Sequence, residues 1–261
     1  MQGGRRPAAI VESVRFETTM ARPPIKALFL DAGKTLLTEQ DPRHVIYARL
    51  AADFGGQEDP EATLESMSRA FAELPQIIEG HFRFSLEWFR AFNARVLGEQ
   101  GVPEARWDAA HERVVEVFED PATYRLYEDV LPFLEGIRER GLIVGIVSNW
   151  SERLPALCQG LGIADLVHFV IASADIKAEK PERECFHRAL FRAGTPGEET
   201  VHVGDHPLRD AKGALDAGLR AVLLQRDPES TVVGPEDVTV IQGLDELLPL
   251  LPAAEASTPS V

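Results

Sequence analysis

The sequence predicts an α/β fold, a doubly wound parallel sheet into which an all-helical domain of four-helix type is inserted. Short and almost continuously apolar segments, such as Leu142 to Val147, recur along most of the chain and alternate with amphipathic helical segments. This alternation is typical of a parallel sheet that helices cover on both faces. The stretch 39–127 shows helical patterns only, and we therefore expect it to be the insertion.

The apolar runs locate the core strands, and the first of them is expected at Ile25 to Leu30, behind two prolines. Further strands are predicted at 142–147, 168–172, 200–203, 220–224 and 238–241. Core helices are predicted at 129–140, 152–161, 183–193 and 208–217, and an apolar segment at 244–250 follows the last strand. In the insertion, helices are predicted at 41–55, 61–74, 86–97 and 103–118, and no strand is expected there.

These patterns divide the chain into two domains and two tails. The core domain is predicted to comprise residues 25–38 and 128–252, and the helical domain residues 39–127. Residues 1–24 are predicted to be an N-terminal tail, and residues 253–261 a C-terminal tail rich in Ala, Ser and Pro. Met20 lies just before the first strand and is a candidate for the true start of the protein.

The composition excludes several classes of partner. The 261 residues include 27 Lys and Arg against 42 Asp and Glu, a formal net charge of −15. Proteins that bind nucleic acids or anionic membranes need a basic surface, whereas a small anionic substrate needs only a locally basic pocket. The 2 cysteines cannot form a disulfide framework, and no apolar run reaches the roughly 18 residues of a membrane span. We therefore expect a cytoplasmic monomer or homodimer with no nucleic-acid or membrane partner.

Polar side chains follow the predicted strands at the ends where an open parallel sheet forms its binding sites. In chain order they are Asp31 and Thr35, Ser148 and Asn149, Lys180, and Gly204 with Asp205 and Asp210. Each of these residues alone has an ordinary structural explanation, such as a helix cap or a solvated loop lysine. Their order, their placement at strand ends and their spacing together indicate one site.

The residue types at these strand ends indicate a metal ion and a transferring group. The carboxylates at 31, 205 and 210 suit a hard cation that prefers oxygen ligands, such as Mg²⁺. A lysine and a hydroxyl beside the metal suit a phosphoryl group, because its charge needs several donors. A carboxylate at the tip of the first strand, Asp31, is a candidate nucleophile.

This ordered set of residues resembles the haloacid dehalogenase (HAD) superfamily of hydrolases over about residues 25–250. The helical insertion resembles the four-helix cap that this superfamily places between its first and second motifs. The stretch Val147 to Trp150 and the spacing from Lys180 to Phe186 look closest to the HAD domain-containing protein 3 subfamily. The resemblance implies a Rossmann-like core and a Mg²⁺-dependent hydrolase, most often a phosphatase, acting on a small phosphorylated metabolite.

The resemblance also implies a role for each catalytic and phosphate-binding residue. Asp31 would be the nucleophile that takes the phosphoryl group as an aspartyl phosphate, and Lys180 would neutralise both. Ser148 and the backbone N–H that follows it, at Asn149, would bind phosphate oxygens. Thr35 would hold the turn after the nucleophile, close to the phosphate.

The metal ligands implied by the resemblance include Gly33, one of two positions where this chain departs from the family pattern. Asp31, Asp205, Asp210 and the backbone carbonyl of Gly33 would hold Mg²⁺. Most phosphatases of the superfamily carry a second aspartate at position 33, which protonates the leaving oxygen and then activates water. Here that residue is Gly33, and the glycine that usually follows it is Lys34.

The missing aspartate changes the expected function, because general acid–base help contributes about 10² to 10⁴ in rate. We expect activity that is reduced or restricted to good leaving groups, such as aryl or acyl phosphates, which need less protonation. Water, His206 or Glu179 is a candidate substitute for the missing group.

Three other functions tolerate a missing acid to different degrees. A 2-haloacid dehalogenase needs no proton for its halide, but such enzymes have an aromatic residue at position 33 and need no metal. Phosphonate cleavage needs a lysine in the cap, and residues 39–127 contain none. A catalytically reduced, Mg²⁺-binding domain that binds a metabolite or a partner remains the main alternative. A serine hydrolase is disfavoured because Ser148 lacks the Gly-x-Ser-x-Gly elbow.

Substrate choice is expected to lie in the cap. Its aromatic residues Trp88, Phe89 and Phe92 recur at helical spacing with Val96, and we expect them to form the cap's own core. The cationic side chains that could meet an anion, if they face the cleft, are those of Arg83, Arg90 and Arg95.

Overall fold

The computed structural model describes residues 23–229, 233–236 and 238–252. Residues 1–22 of the predicted N-terminal tail, with Met20, and the predicted C-terminal tail at 253–261 lie outside these residues. The strands are β1 Ala27–Leu30, β2 Leu37–Glu39, β3 Ile77–Ile78, β4 His81–Phe82, β5 Tyr124–Leu126, β6 Ile143–Ser148, β7 Phe169–Ala172, β8 Thr200–Gly204, β9 Arg220–Leu224 and β10 Thr239–Ile241. The α-helices are α1 Arg43–Asp53, α2 Pro60–Glu73, α3 Leu86–Glu99, α4 Trp107–Glu119, α5 Val130–Glu139, α6 Leu154–Gly160, α7 Ser173–Ile176, α8 Arg183–Ala193 and α9 Gly213–Asp216.

Six strands form one sheet in the order β10-β9-β8-β1-β6-β7, and every pair that joins them is parallel. Successive residues of β1 point to opposite faces. Leu28 and Leu30 pack in one buried cluster with Phe133 of α5, and Phe29 packs in another with Phe186 of α8. Helices therefore cover both faces, which confirms the predicted doubly wound sheet.

One predicted helix takes a different form. The segment predicted as a single helix at 208–217 begins with a π-helical turn at Pro207–Lys212, and only then continues as α9. The His206 side chain caps this turn by accepting hydrogen bonds from the backbone N–H groups of Leu208 and Arg209. A π-helical turn has the wider spacing that is frequently found at functional sites.

The four helices of the insertion pack around their own apolar cluster. Trp88, Phe92 and Val96 of α3 are fully buried at its centre, which confirms that these residues form the cap's core. Beside them, the Tyr47 hydroxyl donates to Asn93 Oδ1, and the Asn93 amide lies 2.9 Å from His111 Nδ1. Within the described residues, no helix has the length and apolar character needed to cross a membrane.

The expectation of no strand in the insertion was wrong. β3 and β4 form a small hairpin, and β2 pairs antiparallel with β5 where the chain enters and leaves the cap. These strands have only two or three residues each, so they are too short to produce an alternating pattern in the sequence.

We expect Gly145→Ala to destabilise the sheet. A Cβ at Gly145 would lie 2.2 Å from Phe169 Cζ, and Phe169 is itself packed edge-on against Phe29. Overpacking of this kind lowers the free energy of unfolding by about 1–3 kcal/mol. Denaturant unfolding of this variant, of Phe169→Leu and of the double variant measures how strongly the two positions are coupled. The double variant should lose less free energy of unfolding than the two single variants lose together. Strictly additive losses would contradict the proposed steric conflict.

Candidate active site

Asp31 stands at the end of the central strand β1, where the sheet edge is flanked by β6 and β8. Its backbone N–H donates to the carbonyl of Val203 in β8 at 2.9 Å, and its side chain is only 11% exposed. The turn that follows closes through backbone hydrogen bonds to the carbonyl of Ala32. Within this turn Lys34 has a φ of 57°, the left-handed conformation that glycine adopts most readily. Lys34 therefore adopts a backbone conformation that favours glycine.

The ammonium group of Lys180 connects two of the predicted carboxylates. Its Nζ lies 2.6 Å from Asp31 Oδ1 and 2.5 Å from Asp210 Oδ1, and the side chain is 2% exposed. Burial lowers the pKa of Lys180, but the carboxylates of Asp210 and Asp31 outweigh this effect and raise the pKa above its ordinary value. Lys180 is therefore a fixed positive charge at the candidate site.

Asn149 positions Lys180 through its backbone. The Asn149 side chain donates to the carbonyl of Lys180 at 2.9 Å and accepts from its N–H at 2.7 Å. This pair of hydrogen bonds joins the end of β6 to the segment between α7 and α8. The predicted phosphate contact of Asn149 uses its backbone N–H and not this side chain, and it stays a prediction.

The Asp210 carboxylate has three hydrogen-bond partners. Its Oδ1 accepts from Lys180 and lies 3.0 Å from His202 Nε2, and its Oδ2 accepts from the backbone N–H of His206 at 2.9 Å. Burial raises the pKa of Asp210, but Lys180 and His202 outweigh it and hold the pKa far below the usual range. A Cβ at Gly204 would lie 2.2 Å from Asp210 Cγ, so this close approach requires glycine.

His202 is a site residue that the sequence analysis missed. It lies inside the buried strand β8, packs edge-on against Phe186 and is fully buried. Burial lowers the pKa of His202, so the ring is neutral and donates from Nε2 to Asp210. A histidine in the middle of an apolar strand was the available signal, since a buried polar group needs a partner.

Asp31, Asp205 and Asp210 form a group that could hold a metal ion. One oxygen from each lies within 4.8 Å of the others. Burial and the carboxylates of Asp31 and Asp210 raise the pKa of Asp205 to about 7. The ammonium groups of Lys180 and Lys34 offset only part of the charge of these three carboxylates, so a divalent cation would neutralise the excess negative charge. The oxygen donors match those that Mg²⁺ prefers, and the residues therefore fit the predicted metal.

The remaining predicted residues lie at the same edge. Ser148 is the last residue of β6 and is almost completely buried. Thr35 is fully buried, and its Oγ1 has no hydrogen-bond partner among the described residues. Gly33 forms an isolated bridge with Leu37, and a Cβ built on it would lie 3.4 Å from Trp150 Cζ3. Position 33 therefore faces the indole of Trp150.

A cavity of about 120 Å³ lies between the cap and the core beside these residues. Asn149, Trp150 and Ser151 form its core wall, and cap residues such as Tyr47 and Phe89 form the other side. Phe89 thus differs from Trp88 and Phe92, because it contributes to a cavity as well as to the cap's core.

The three cap arginines that the sequence analysis proposed as contacts for an anion all have acidic partners. Arg90 pairs with Asp108 at 2.8 Å and Arg95 with Glu73 at 2.5 Å, both on the exposed surface. Arg83 lies 3.7 Å from Glu179 of the core. Of the three, Arg83 is therefore the one that an ion pair brings against the core, within the described residues.

Comparisons with known proteins place the chain in a family. A family model described as haloacid dehalogenase-like hydrolase matches residues 25–218. The chain belongs to this family. It is 28% identical over 232 residues to haloacid dehalogenase-like hydrolase domain-containing protein 3 of Danio rerio, which covers 87% of this chain and 96% of the relative. This similarity confirms the resemblance to that subfamily.

Two further relatives of this HAD hydrolase carry names with different activities. This chain is 30% identical over 214 residues to the glyceraldehyde 3-phosphate phosphatase of Methanopyrus kandleri, and the match covers 77% of this chain and 84% of the relative. The crystal structure of the 2-haloacid dehalogenase of Pseudomonas syringae pv. Tomato has a TM-score of 0.64 and 25% identity, covering 87% of this chain and 97% of that one. Membership of the family therefore establishes a hydrolase.

Arg226 is a second residue of the HAD hydrolase that sequence reasoning missed. Its guanidinium donates to both carboxylate oxygens of Asp129 and to the carbonyl of Thr35, and it stacks 3.8 Å from the ring centroid of Tyr127. Thr35 precedes β2 and Tyr127 follows β5, so one side chain holds both connections to the cap. Nothing in the local sequence marks this arginine, because its partners lie far away in the chain.

In the metal-free HAD hydrolase, we expect Asp205→Asn to be stabilising at high pH. The folded state raises the pKa of Asp205 from about 3.9 to about 7, so the folded protein binds the additional proton between these values. The stability that this group contributes is present below about pH 4 and is lost as the pH rises through 7. In EDTA at pH 8 the variant should be about 2–4 kcal/mol more stable than the unaltered protein, and at pH 4 the two should be similar.

Denaturant unfolding at both pH values measures this difference, with Mg²⁺ added in a parallel series. We expect Mg²⁺ at pH 8 to stabilise the unaltered protein more than the variant. Equal stabilities in EDTA at pH 8 would show that the Asp205 carboxylate carries no penalty.

We expect Arg226→Lys to lower the free energy of unfolding by about 1–3 kcal/mol, although the charge is retained. Lysine cannot reproduce the two-pronged contact with Asp129 or stack on Tyr127 in the same way. Thermal unfolding measures the loss, and Arg138→Lys, on the exposed face of α5, is the matched control. Equal melting temperatures for the two variants would argue against the bridging role of Arg226.

Proposed function

We propose that this HAD hydrolase is a Mg²⁺-dependent phosphatase that uses Asp31 as nucleophile and acts on phosphorylated small molecules with good leaving groups. The observation that carries the proposal is the Lys180 ammonium between Asp31 and Asp210, beside the third carboxylate of Asp205. This arrangement combines a candidate nucleophile, a fixed cation and a group of oxygen donors at one sheet edge.

In the proposed reaction, an Asp31 carboxylate oxygen attacks phosphorus while the bond between phosphorus and the leaving oxygen breaks. The leaving oxygen takes the electron pair of that bond, and water later attacks phosphorus to release phosphate and restore Asp31. Lys180 offsets the negative charge that accumulates between nucleophile and phosphoryl group. Ser148, at the end of the neighbouring strand β6, and the N–H that follows it would bind phosphate oxygens.

Asp31, Asp205, Asp210 and the Gly33 carbonyl would hold the metal. Bound Mg²⁺ supplies positive charge that reduces the repulsion between the carboxylate and the phosphoryl group. The raised pKa of Asp205 supports this assignment, since burial, together with the negative charges of Asp31 and Asp210, raises it to about 7 in the metal-free protein.

The restriction to good leaving groups is supported by the fact that both candidate substitutes for the missing acid, Glu179 and His206, are held in structural contacts. Glu179 accepts a hydrogen bond from Gln76 of the cap and pairs with Arg83. His206 uses Nδ1 to cap the π-helical turn, and burial lowers its pKa. Both side chains already have structural partners, and a leaving group that departs without a proton needs neither.

A metal-binding protein with little turnover is the second candidate, and Gly33 is the observation that favours it. A dehalogenase is less well supported, because position 33 carries no aromatic side chain and three carboxylates converge at the site. The cytoplasmic location, the monomeric or homodimeric state and the small phosphorylated metabolite as partner stay predictions.

Hydrolysis of p-nitrophenyl phosphate with and without Mg²⁺ tests the proposed function. We expect metal-dependent turnover that falls by about 10³-fold or more in Asp31→Asn, because the nucleophile is lost. Phe191→Ala is the control, since Phe191 is 90% exposed on α8. Turnover equal in Asp31→Asn and the unaltered protein would exclude the aspartyl phosphate, and none in either would favour the binding protein.

A further inference from the structure

We propose that Trp150 occupies the space of the missing acid at position 33 and provides the surface on which an aromatic leaving group stacks. This inference rests on the proposed phosphatase function and specifies its substrate class as aryl phosphates. Trp150 would thus be a specificity-determining residue of the HAD hydrolase, acting through contact with the leaving group.

The first observation is the approach of Trp150 to Gly33. A Cβ at Gly33 would already lie 3.4 Å from Trp150 Cζ3, which is van der Waals contact. The carboxyl group of an aspartate at this position extends beyond Cβ and would compete with the indole for space. Glycine at position 33 and tryptophan at position 150 are therefore complementary, and each makes room for the other.

The second observation is that several groups hold Trp150 in place. Its backbone carbonyl accepts hydrogen bonds from the hydroxyl of Ser173 and from the N–H of Ala174. Its indole lies 5.9 Å from the ring of Tyr124 and 5.8 Å from the guanidinium carbon of Arg43, centroid distances typical of aromatic and cation–π contacts. A wall fixed in this way is suited to orient a flat ligand.

The third observation is the cavity that Trp150 lines. Its volume is about 120 Å³, of the same order as the roughly 150 Å³ cavity that accepts benzene. The aromatic side chains that line it are Tyr47, Phe84, Phe89, Phe118, Tyr124 and Trp150.

Both charged side chains that line this cavity, those of Arg43 and Glu119, are already paired, and Glu119 forms its ion pair with Arg153. Arg43 forms an ion pair with Glu39 and lies against the rings of Phe118 and Trp150. The cavity wall therefore combines flat apolar faces with a neutralised cation, and these features favour an uncharged aromatic ring over a charged or sugar-like group.

The chemistry of such a leaving group matches the loss of the acid. A phenol has a pKa of about 10, whereas water has one of about 15.7. A phenolate therefore departs with the electron pair of the phosphorus–oxygen bond without first receiving a proton, and solvent protonates it only to the extent that the pH requires. The same feature, Trp150 opposite Gly33, thus removes the acid and selects substrates that do not need it.

Substitutions at both positions test the proposal through hydrolysis of phenyl phosphate and ethyl phosphate. Trp150→Ala should lower kcat/KM for phenyl phosphate by about three- to tenfold, mainly through KM, and Trp150→Phe should keep most of it. Gly33→Asp alone should not raise ethyl phosphate hydrolysis, whereas Gly33→Asp with Trp150→Ala should raise it by about tenfold or more. Phe191→Ala is again the control.

Two results would overturn the proposal. One is a Gly33→Asp variant that hydrolyses ethyl phosphate as fast as the double variant, because Trp150 would then not be in the way. The other is a Trp150→Ala variant with unchanged kinetics on phenyl phosphate.

A binding measurement separates this proposal from the proposed function. Phenylphosphonate and ethylphosphonate, which an aspartate nucleophile cannot hydrolyse, are titrated calorimetrically into the unaltered protein and Trp150→Ala with Mg²⁺ present. We expect phenylphosphonate to bind about three- to tenfold more tightly, and the preference to disappear in the variant. If no ester is hydrolysed but the preference is seen, the phosphatase function fails and the aromatic subsite stands. If both phosphonates bind alike, or neither binds, the subsite is overturned.

Discussion

A single buried ammonium group, that of Lys180, holds the active-site edge of this protein together. It lies between Asp31 and Asp210, and all three side chains are removed from water. Burying charges costs several kcal/mol per ion, so each of them depends on the others, and losing one partner of a buried pair costs about 3–5 kcal/mol. The end of β1 and the segment after β8 are therefore coupled to the segment that carries Lys180.

The surrounding residues position and stabilise the side chains of Lys180 and Asp210. Gly204 lets the backbone approach Asp210, neutral His202 donates to the same carboxylate, and Asn149 holds the backbone of Lys180. Asp205 is the carboxylate whose pKa this arrangement raises, through burial and through the negative charges of Asp31 and Asp210. The proposed nucleophile and the proposed metal site thus depend on the same charge balance as the local fold.

The proposed selectivity of this site depends on the connection between the cap and the core. Arg226 holds both chain connections to the cap, and the aromatic cavity beside Trp150 lies where the two parts meet. The exchange of an acidic residue for Gly33 is accompanied by an indole in the space next to it. In the proposed reaction, Asp31 and Lys180 keep the roles that the family resemblance implies, while Gly33 and Trp150 change the surroundings of the leaving group.

By itself, the sequence determined the α/β class, the helical insertion and the placement of Asp31, Ser148, Lys180 and Asp205 after strands. These features follow from local patterns, namely apolar periodicity and the residues at strand ends, which can be recognised without knowledge of contacts. Only the tertiary structure decided which atoms meet: Lys180 with Asp31 across 149 positions, Arg226 with Asp129 across 97, and Trp150 with Gly33. The short strands β2 and β5, the π-helical turn and buried His202 also emerged only there. The long-range contacts and the pairing of β2 with β5 depend on segments that are distant in the chain, and no local pattern encodes the geometry of such a pair.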